Sequence, residues 1–126
     1  MRLFALTAAA VLFAAPAAFA CSCAQDVDGS QAARILADPA YSVVDVTVRG
    51  YNTTNGQSML QINNVRHGGL VARDIRAKFN SNGAACGLIP NQKQMTLLIH
   101  NDEDGRYSIA GSCAHMAVMK NLKAGQ

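Results

Sequence analysis

Tyr41-Ser-Val-Val-Asp-Val-Thr-Val-Arg-Gly-Tyr51 is the stretch on which the reading of the fold turns. Val43, Val44, Val46, Thr47 and Val48 are β-branched, stiff at χ1 and suited to a pleated surface, so the stretch predicts one long strand. Asn52-Thr-Thr-Asn-Gly56 follows with turn chemistry, and a second strand is expected from about Ser58 to Arg66. His67-Gly68-Gly69 breaks the chain. Leu70 to Phe79 resumes as a third strand with Ile75, Ala77 and Phe79 on one face. Asn80 to Gly83 is a loop leading into Ala84-Ala85-Cys86-Gly87.

Further on the hairpin pattern returns. Met95 to His100 predicts a strand, Asn101-Asp-Glu-Asp-Gly105 a tight polar turn, and Arg106 to Ala110 the returning strand. Before the first strand, Ser30 is expected to cap a short helix running to about Leu36, which Asp38-Pro39 ends. After Cys113, the residues Ala114, Val118 and Leu122, with Met119, recur at helical spacing and predict a C-terminal helix lying on the sheet. Five strands with one early and one late helix imply an all-β domain built as a small closed or nearly closed barrel.

The region upstream has a different character. Met1-Arg2 is a short positive start, Leu3 to Ala15 an almost unbroken apolar run, and Ala18-Phe19-Ala20 places small residues at the minus-three and minus-one positions of a cleavage site. Residues 1–20 are therefore expected to be a cleaved signal peptide, and residues 21–126 a single domain that starts on Cys21. No stop-transfer flank follows the apolar run, and Pro16 interrupts it, so no membrane insertion is expected after cleavage. Lipidation also requires a cysteine after the cut, but it favours Leu at minus three and a small residue at minus two. Here those positions are Ala18 and Phe19. The domain is thus expected to be secreted or periplasmic.

Cleavage changes the balance of the chain. Of 126 residues, 106 remain, enough for one core yet small enough to profit from cross-links. Phe79, Tyr41, Tyr51 and Tyr107 are then its only aromatics, and loss of Arg2 leaves 10 basic against 8 acidic side chains. Nucleic-acid binding needs stacking aromatics and a basic groove, so that class is excluded. No Ser/His/Asp order with motif context and no His-Glu-x-x-His helix is present, and a non-enzymatic role without a cofactor is expected.

Cys21, Cys23, Cys86 and Cys113 all survive the cut, and an even count in a short exported domain reads as two disulfides. Three pairings exist. A Cys21–Cys23 bond would close a strained small ring, so both N-terminal cysteines are expected to reach the two distant ones. Closing loops of that length is worth roughly 4 kcal/mol each in the chain-entropy picture.

Other clusters carry weaker chemistry. His115, Met116 and Met119 have the soft donors of a copper site, with Cys21 and Cys23 as thiolates, but a helix that packs its methionines in the core uses the same residues. Asp102, Glu103 and Asp104 lie in a loop too short for the twelve-residue calcium pattern. His67 and His100 read as surface or edge residues.

The Cys21-Ser22-Cys23 start, the β-rich body, Ser81-Asn-Gly-Ala-Ala-Cys86-Gly87 and Tyr107-Ser-Ile-Ala-Gly111 before Cys113 together resemble the N-terminal inhibitory domain of the tissue inhibitors of metalloproteinases, within the netrin-like family. The resemblance covers most of residues 21–126. It implies a five-stranded OB-type (netrin-like) β-barrel carrying the short N-terminal helix and the C-terminal helix, and pairing of Cys21 with Cys86 and Cys23 with Cys113. It also implies a monomer that inhibits a zinc metalloprotease, with the α-amine and carbonyl oxygen of Cys21 chelating the zinc of the target. Ser22 would enter the specificity pocket, and Cys23, Ala24, Ala84, Ala85 and Cys86 would contact the protease. The chain departs from the family pattern in lacking a third disulfide and in placing Ala24-Gln25-Asp26 where a proline is usual. Two alternatives stand beside inhibition: a non-inhibitory netrin-like binding or structural module of the cell envelope, and a periplasmic metal-binding protein.

Overall fold

The computed structural model describes Cys23 and residues 29–82, 86–102 and 104–125. The expected signal peptide and the expected contact residues Cys21, Ser22, Ala24, Ala84 and Ala85 lie outside the described residues.

Seven elements follow one another: α1 (Ser30–Ala37), β1 (Tyr41–Asn52), β2 (Gln57–His67), β3 (Asp74–Lys78), β4 (Gln94–Asn101), β5 (Tyr107–Ile109) and α2 (Ser112–Gly125). The strands close into a barrel in the order β1-β2-β3-β5-β4. All pairings are antiparallel except β3 with β5, where Ala77 lies opposite Tyr107 and Lys78 opposite Ser108. Along β1 the register against β2 shifts between Val43 and Val44, Asp45 and Val46, and Val48 and Gly50. Such bulges bend and twist a strand, which lets twelve residues curve around two neighbours.

Two cores explain why β1 and β4 do not simply alternate. Val44, Val46, Leu60, Ile75, Ala77, Phe79, Leu97, Ile99 and Ile109 fill the barrel interior. Val43 and Leu98 point outward yet are fully buried, because α1 and α2 cover that side with Ala32, Ile35, Ala117 and Val118. Leu97-Leu98-Ile99 is thus an unbroken apolar run for the reason that one neighbour is a barrel and the other a helical layer. β3 is covered on one side only, and it alternates cleanly: Ile75 and Ala77 buried, Arg76 and Lys78 exposed. The buried Ser58 is satisfied by donating from Oγ to the carbonyl of Ala77 at 2.8 Å.

Several expectations need correction. Ser30 does not cap α1; it is inside the helix, and Gly29, left-handed at φ 77°, occupies the cap position with no side-chain cap bond. The third strand begins at Asp74 rather than Leu70. Leu70 is drawn toward β1, its N–H donating to Ser42 Oγ at 3.2 Å, and ladder pairing with β2 starts only at Gln61 and Asp74. The last strand is also shorter than Arg106 to Ala110, spanning Tyr107–Ile109. The C-terminal helix does lie on β4, and it packs on α1 as well, a contact that periodicity within one helix does not reveal.

Candidate functional site

Cys23, Cys86 and Cys113 gather where the barrel meets the start of α2. β5 ends at Ile109, Gly111 accepts the first bond of the helix from the N–H of His115 at 3.0 Å, and Cys113 sits in the first turn. Cys113 is bonded to Cys23 across a sequence separation of 90, with Cα atoms 5.1 Å apart. Cys86 is also disulfide-bonded, and no described cysteine is free. The Cys86 and Cys113 sulfurs are 3.8 Å apart, in contact without being joined. Of the predicted site residues within the described set, Cys23, Cys86 and Cys113 are therefore brought together. Disulfides form and persist in oxidising surroundings, so the bond points to a compartment outside the cytoplasm. Among the described residues no helix is long and apolar enough to cross a membrane.

Cys86 is held by more than its sulfur. Its carbonyl oxygen accepts from the Ser112 N–H at 2.8 Å and from Ser112 Oγ at 3.2 Å, so it lies at the N-terminal end of α2, where the helix dipole favours an acceptor. Its backbone has φ 63°, the one positive φ among the described non-glycine residues. A left-handed cysteine costs about 1–3 kcal/mol and persists only when its surroundings fix it. The described residues around it are also tied together: Asn80 Oδ1 accepts from the Asn82 N–H at 2.9 Å, and the Asn82 carbonyl accepts from the Gly87 N–H at 3.1 Å. A Cβ on Gly87 would lie 2.0 Å from the Asn80 carbonyl oxygen, so only glycine fits.

The residues considered for a copper site are not assembled. Met116 is 59% exposed, whereas Met119 packs against the helical core. His115 faces a depression on the outside of β4 beside Asp45, Gln94 and Thr96. Its Nδ1 is buried with no hydrogen-bond partner, and burial lowers the imidazole pKa below its ordinary value. Among the described residues, no group of three or more His, Cys, Asp or Glu side chains converges on a point. The other histidines have structural partners: His67 Nε2 is 2.7 Å from the Leu36 carbonyl oxygen, tying β2 to α1, and His100 Nδ1 is 2.6 Å from Asp102 Oδ1.

Asp45, which carried no weight in the sequence, anchors a polar ladder on this outer face. Thr96 Oγ1 donates to its carboxylate at 2.6 Å, Arg66 Nε at 3.0 Å and Asn64 Nδ2 at 3.2 Å. Burial by itself would raise the Asp45 pKa; the bonds from Thr96, Arg66 and Asn64, with the Arg66 charge, together outweigh it and hold the group below the usual carboxylate range. The signal in the sequence was a charged residue inside a run of valines, where a strand needs partners from both neighbours. No family model matches the chain, and no characterised protein or solved structure shows significant similarity to it.

Proposed function

We propose that the chain is an exported inhibitor of zinc metalloproteases, built on an OB-type barrel of the netrin-like kind, whose working group is the amine and carbonyl of Cys21. The observation that carries the reading is the contact between the Cys113 and Cys86 sulfurs, which seats Cys23 beside Cys86. The start of the domain and the end of the Ala84-Ala85-Cys86 segment, two stretches more than sixty residues apart in sequence, are adjacent there. With Cys23 and Cys113 joined and Cys86 bonded, Cys21 is the remaining cysteine of the four and the partner left for Cys86. The strand order β1-β2-β3-β5-β4, with its parallel β3–β5 pair, supports the OB-type assignment.

The chemistry follows from the position of the cut. An α-amine has a pKa near 8, so it loses its proton at modest cost, and with the carbonyl of the same residue it forms a five-membered chelate. A catalytic zinc keeps one position open for such a ligand. Two bonds holding the segment in advance lower the entropy lost on binding. The test is to add one alanine ahead of Cys21, which converts the amine to an amide and places bulk where the metal must sit. Wild type, confirmed by intact mass to begin at Cys21 with two disulfides, should inhibit members of a zinc-metalloprotease panel, and the extended form should not, while both melt alike. Ser22→Gly should weaken inhibition less, since the chelate remains. Equal behaviour of wild type and the extended form removes the proposal.

A further inference from the structure

Three sulfurs share one place at the head of α2, and only two of them are joined to each other. Cys23 is bonded to Cys113, and the Cys86 sulfur, bonded elsewhere, stands 3.8 Å from the Cys113 sulfur. That is contact distance. A thiolate attacks a disulfide at one of its sulfurs and expels the other, so the sulfur within reach decides which bond forms and which thiol is released. For Cys86 the sulfur in reach is that of Cys113, and the one expelled is that of Cys23.

The attacking residue keeps its position when its own bond is cut. The Cys86 carbonyl oxygen accepts from the Ser112 N–H at 2.8 Å and from Ser112 Oγ at 3.2 Å, contacts that do not involve the sulfur. A Cβ on Gly111 would come 2.8 Å from the same oxygen, so the two backbones already approach closely. Cys113 is fixed from the other side: it lies in the first turn of α2, which is seated on the barrel and on α1 through Ala117 and Val118. A thiolate formed on Cys86 meets the positive end of the helix dipole, which favours the reactive form. Cys23, Cys86 and Cys113 are all partly exposed, so an external thiol can reach the cluster.

From this juxtaposition we infer that the cysteine cluster is a redox switch: reduction of the Cys86 disulfide passes the Cys113 bond from Cys23 to Cys86 and sets the start of the domain free. The inference rests on the wedge reading above, both for Cys21 as the partner of Cys86 and for the effect on inhibition. In the first step an external dithiol attacks the Cys21 sulfur and expels Cys86 as a thiolate. Its second sulfur then expels Cys21, so the dithiol is oxidised by two electrons to its own disulfide. In the second step the Cys86 thiolate forms a bond to Cys113, the Cys23–Cys113 bond breaks, and the electron pair, followed by a proton from water, rests on Cys23. No further oxidant or reductant is needed. The body of the domain keeps one cross-link, while residues 21–23 lose both, and with them the preorganisation that favours binding.

The experiment maps cysteine pairing by mass after acid quenching and alkylation, first in the mature protein and then after one equivalent of dithiothreitol. Before reduction Cys21 should be linked to Cys86 and Cys23 to Cys113. Afterwards the species with one disulfide should carry label on Cys21 and Cys23 and a Cys86–Cys113 bond, in at least about tenfold excess over any that keeps Cys23–Cys113. Cys21→Ser should show the same bond, and a thiol on Cys23, with no reductant added. Inhibition by the exchanged form should fall at least about tenfold and return on oxidation. Reduction that labels Cys21 and Cys86 and leaves Cys23–Cys113 intact overturns the inference, as does a Cys86 bonded to anything but Cys21 at the outset, or exchange that leaves inhibition unchanged. A wild type that inhibits no protease sinks the wedge reading instead, and the pairing map still decides the exchange.

Discussion

Replacing Cys23 and Cys113 together by alanine removes a cross-link between residues 90 positions apart. Were that bond alone, the chain-entropy expression for a loop of this size gives about 4.6 kcal/mol at 25 °C. It is not alone, because Cys86 is bonded as well. If its partner is Cys21, as proposed above, the unfolded chain stays tied there, and the second bond closes only the path from Cys23 back through Cys21 to Cys86 and on to Cys113. That loop is about 29 residues, worth about 3.6 kcal/mol. Urea unfolding reads the loss directly: with a slope of roughly 1–3 kcal/mol per molar for a small domain, the midpoint should fall by about 2 M. The slope itself should rise, since an untied chain exposes more surface. A variant that merely lost packing at the half-buried Cys113 would shift the midpoint and leave the slope alone. A loss under about 1 kcal/mol with an unchanged slope would refute the argument that the N-terminal segment is held by this bond in solution.

His115→Leu should raise stability at pH 7 by about 1 kcal/mol, because it removes a buried acceptor or donor that has no partner. The same change should flatten the pH profile: with the folded imidazole pKa depressed, the unfolded chain binds the proton first, so wild-type stability is whole above about 6.5 and declines as pH falls below it. The contribution of Asp45, whose carboxyl is held below its ordinary range, is present above about 3.9 and is lost only on further acidification. Leu98→Ala should cost about 2–5 kcal/mol by opening a cavity under the helices, against less than about 0.5 kcal/mol for Met116→Ala on the exposed side of α2, both read by denaturant titration. Gly87→Ala should destabilise the domain by several-fold more than an average surface change, about 2–3 kcal/mol, since its Cβ meets a backbone oxygen that cannot step aside; full stability in that variant would refute the close approach of Gly87 to the Asn80 carbonyl.

The strands were legible in the sequence to within a few residues because they are bounded by glycine and asparagine turns and filled with β-branched residues, as at Tyr41–Asn52 and Gln57–His67. The apolar face of Ile75, Ala77 and Phe79 is buried as periodicity predicts. Leu70–Arg73 misled because Leu70 and Ala72 pack against the barrel core from outside the ladder while Val71 stands in solvent, and this alternation leaves the same mark as pairing. The convergence of Cys23, Cys86 and Cys113 followed from a cysteine count, since oxidised sulfurs must meet. The polar ladder around Asp45 did not, because its partners Asn64, Arg66 and Thr96 come from two other strands whose alignment with β1 is not written in the sequence.

The strand that shuts the barrel is both its shortest and its last. β5 contributes three residues, yet it alone joins β3 to β4, with β1 between β2 and β4 on the other side. A nascent chain that has delivered everything up to Asn101 can already pair four strands, since β1 reaches β4 across Tyr41 and His100. It then carries two bare rims, on β3 and β4, each a template for another copy of the same unfinished sheet. The hazard ends only when Tyr107–Ile109 arrives and Cys113 follows it within reach of Cys23. Maturation is thus timed from the C-terminal end, and a chain clipped by twenty residues would give up its solubility before it gave up most of its hydrophobic interior.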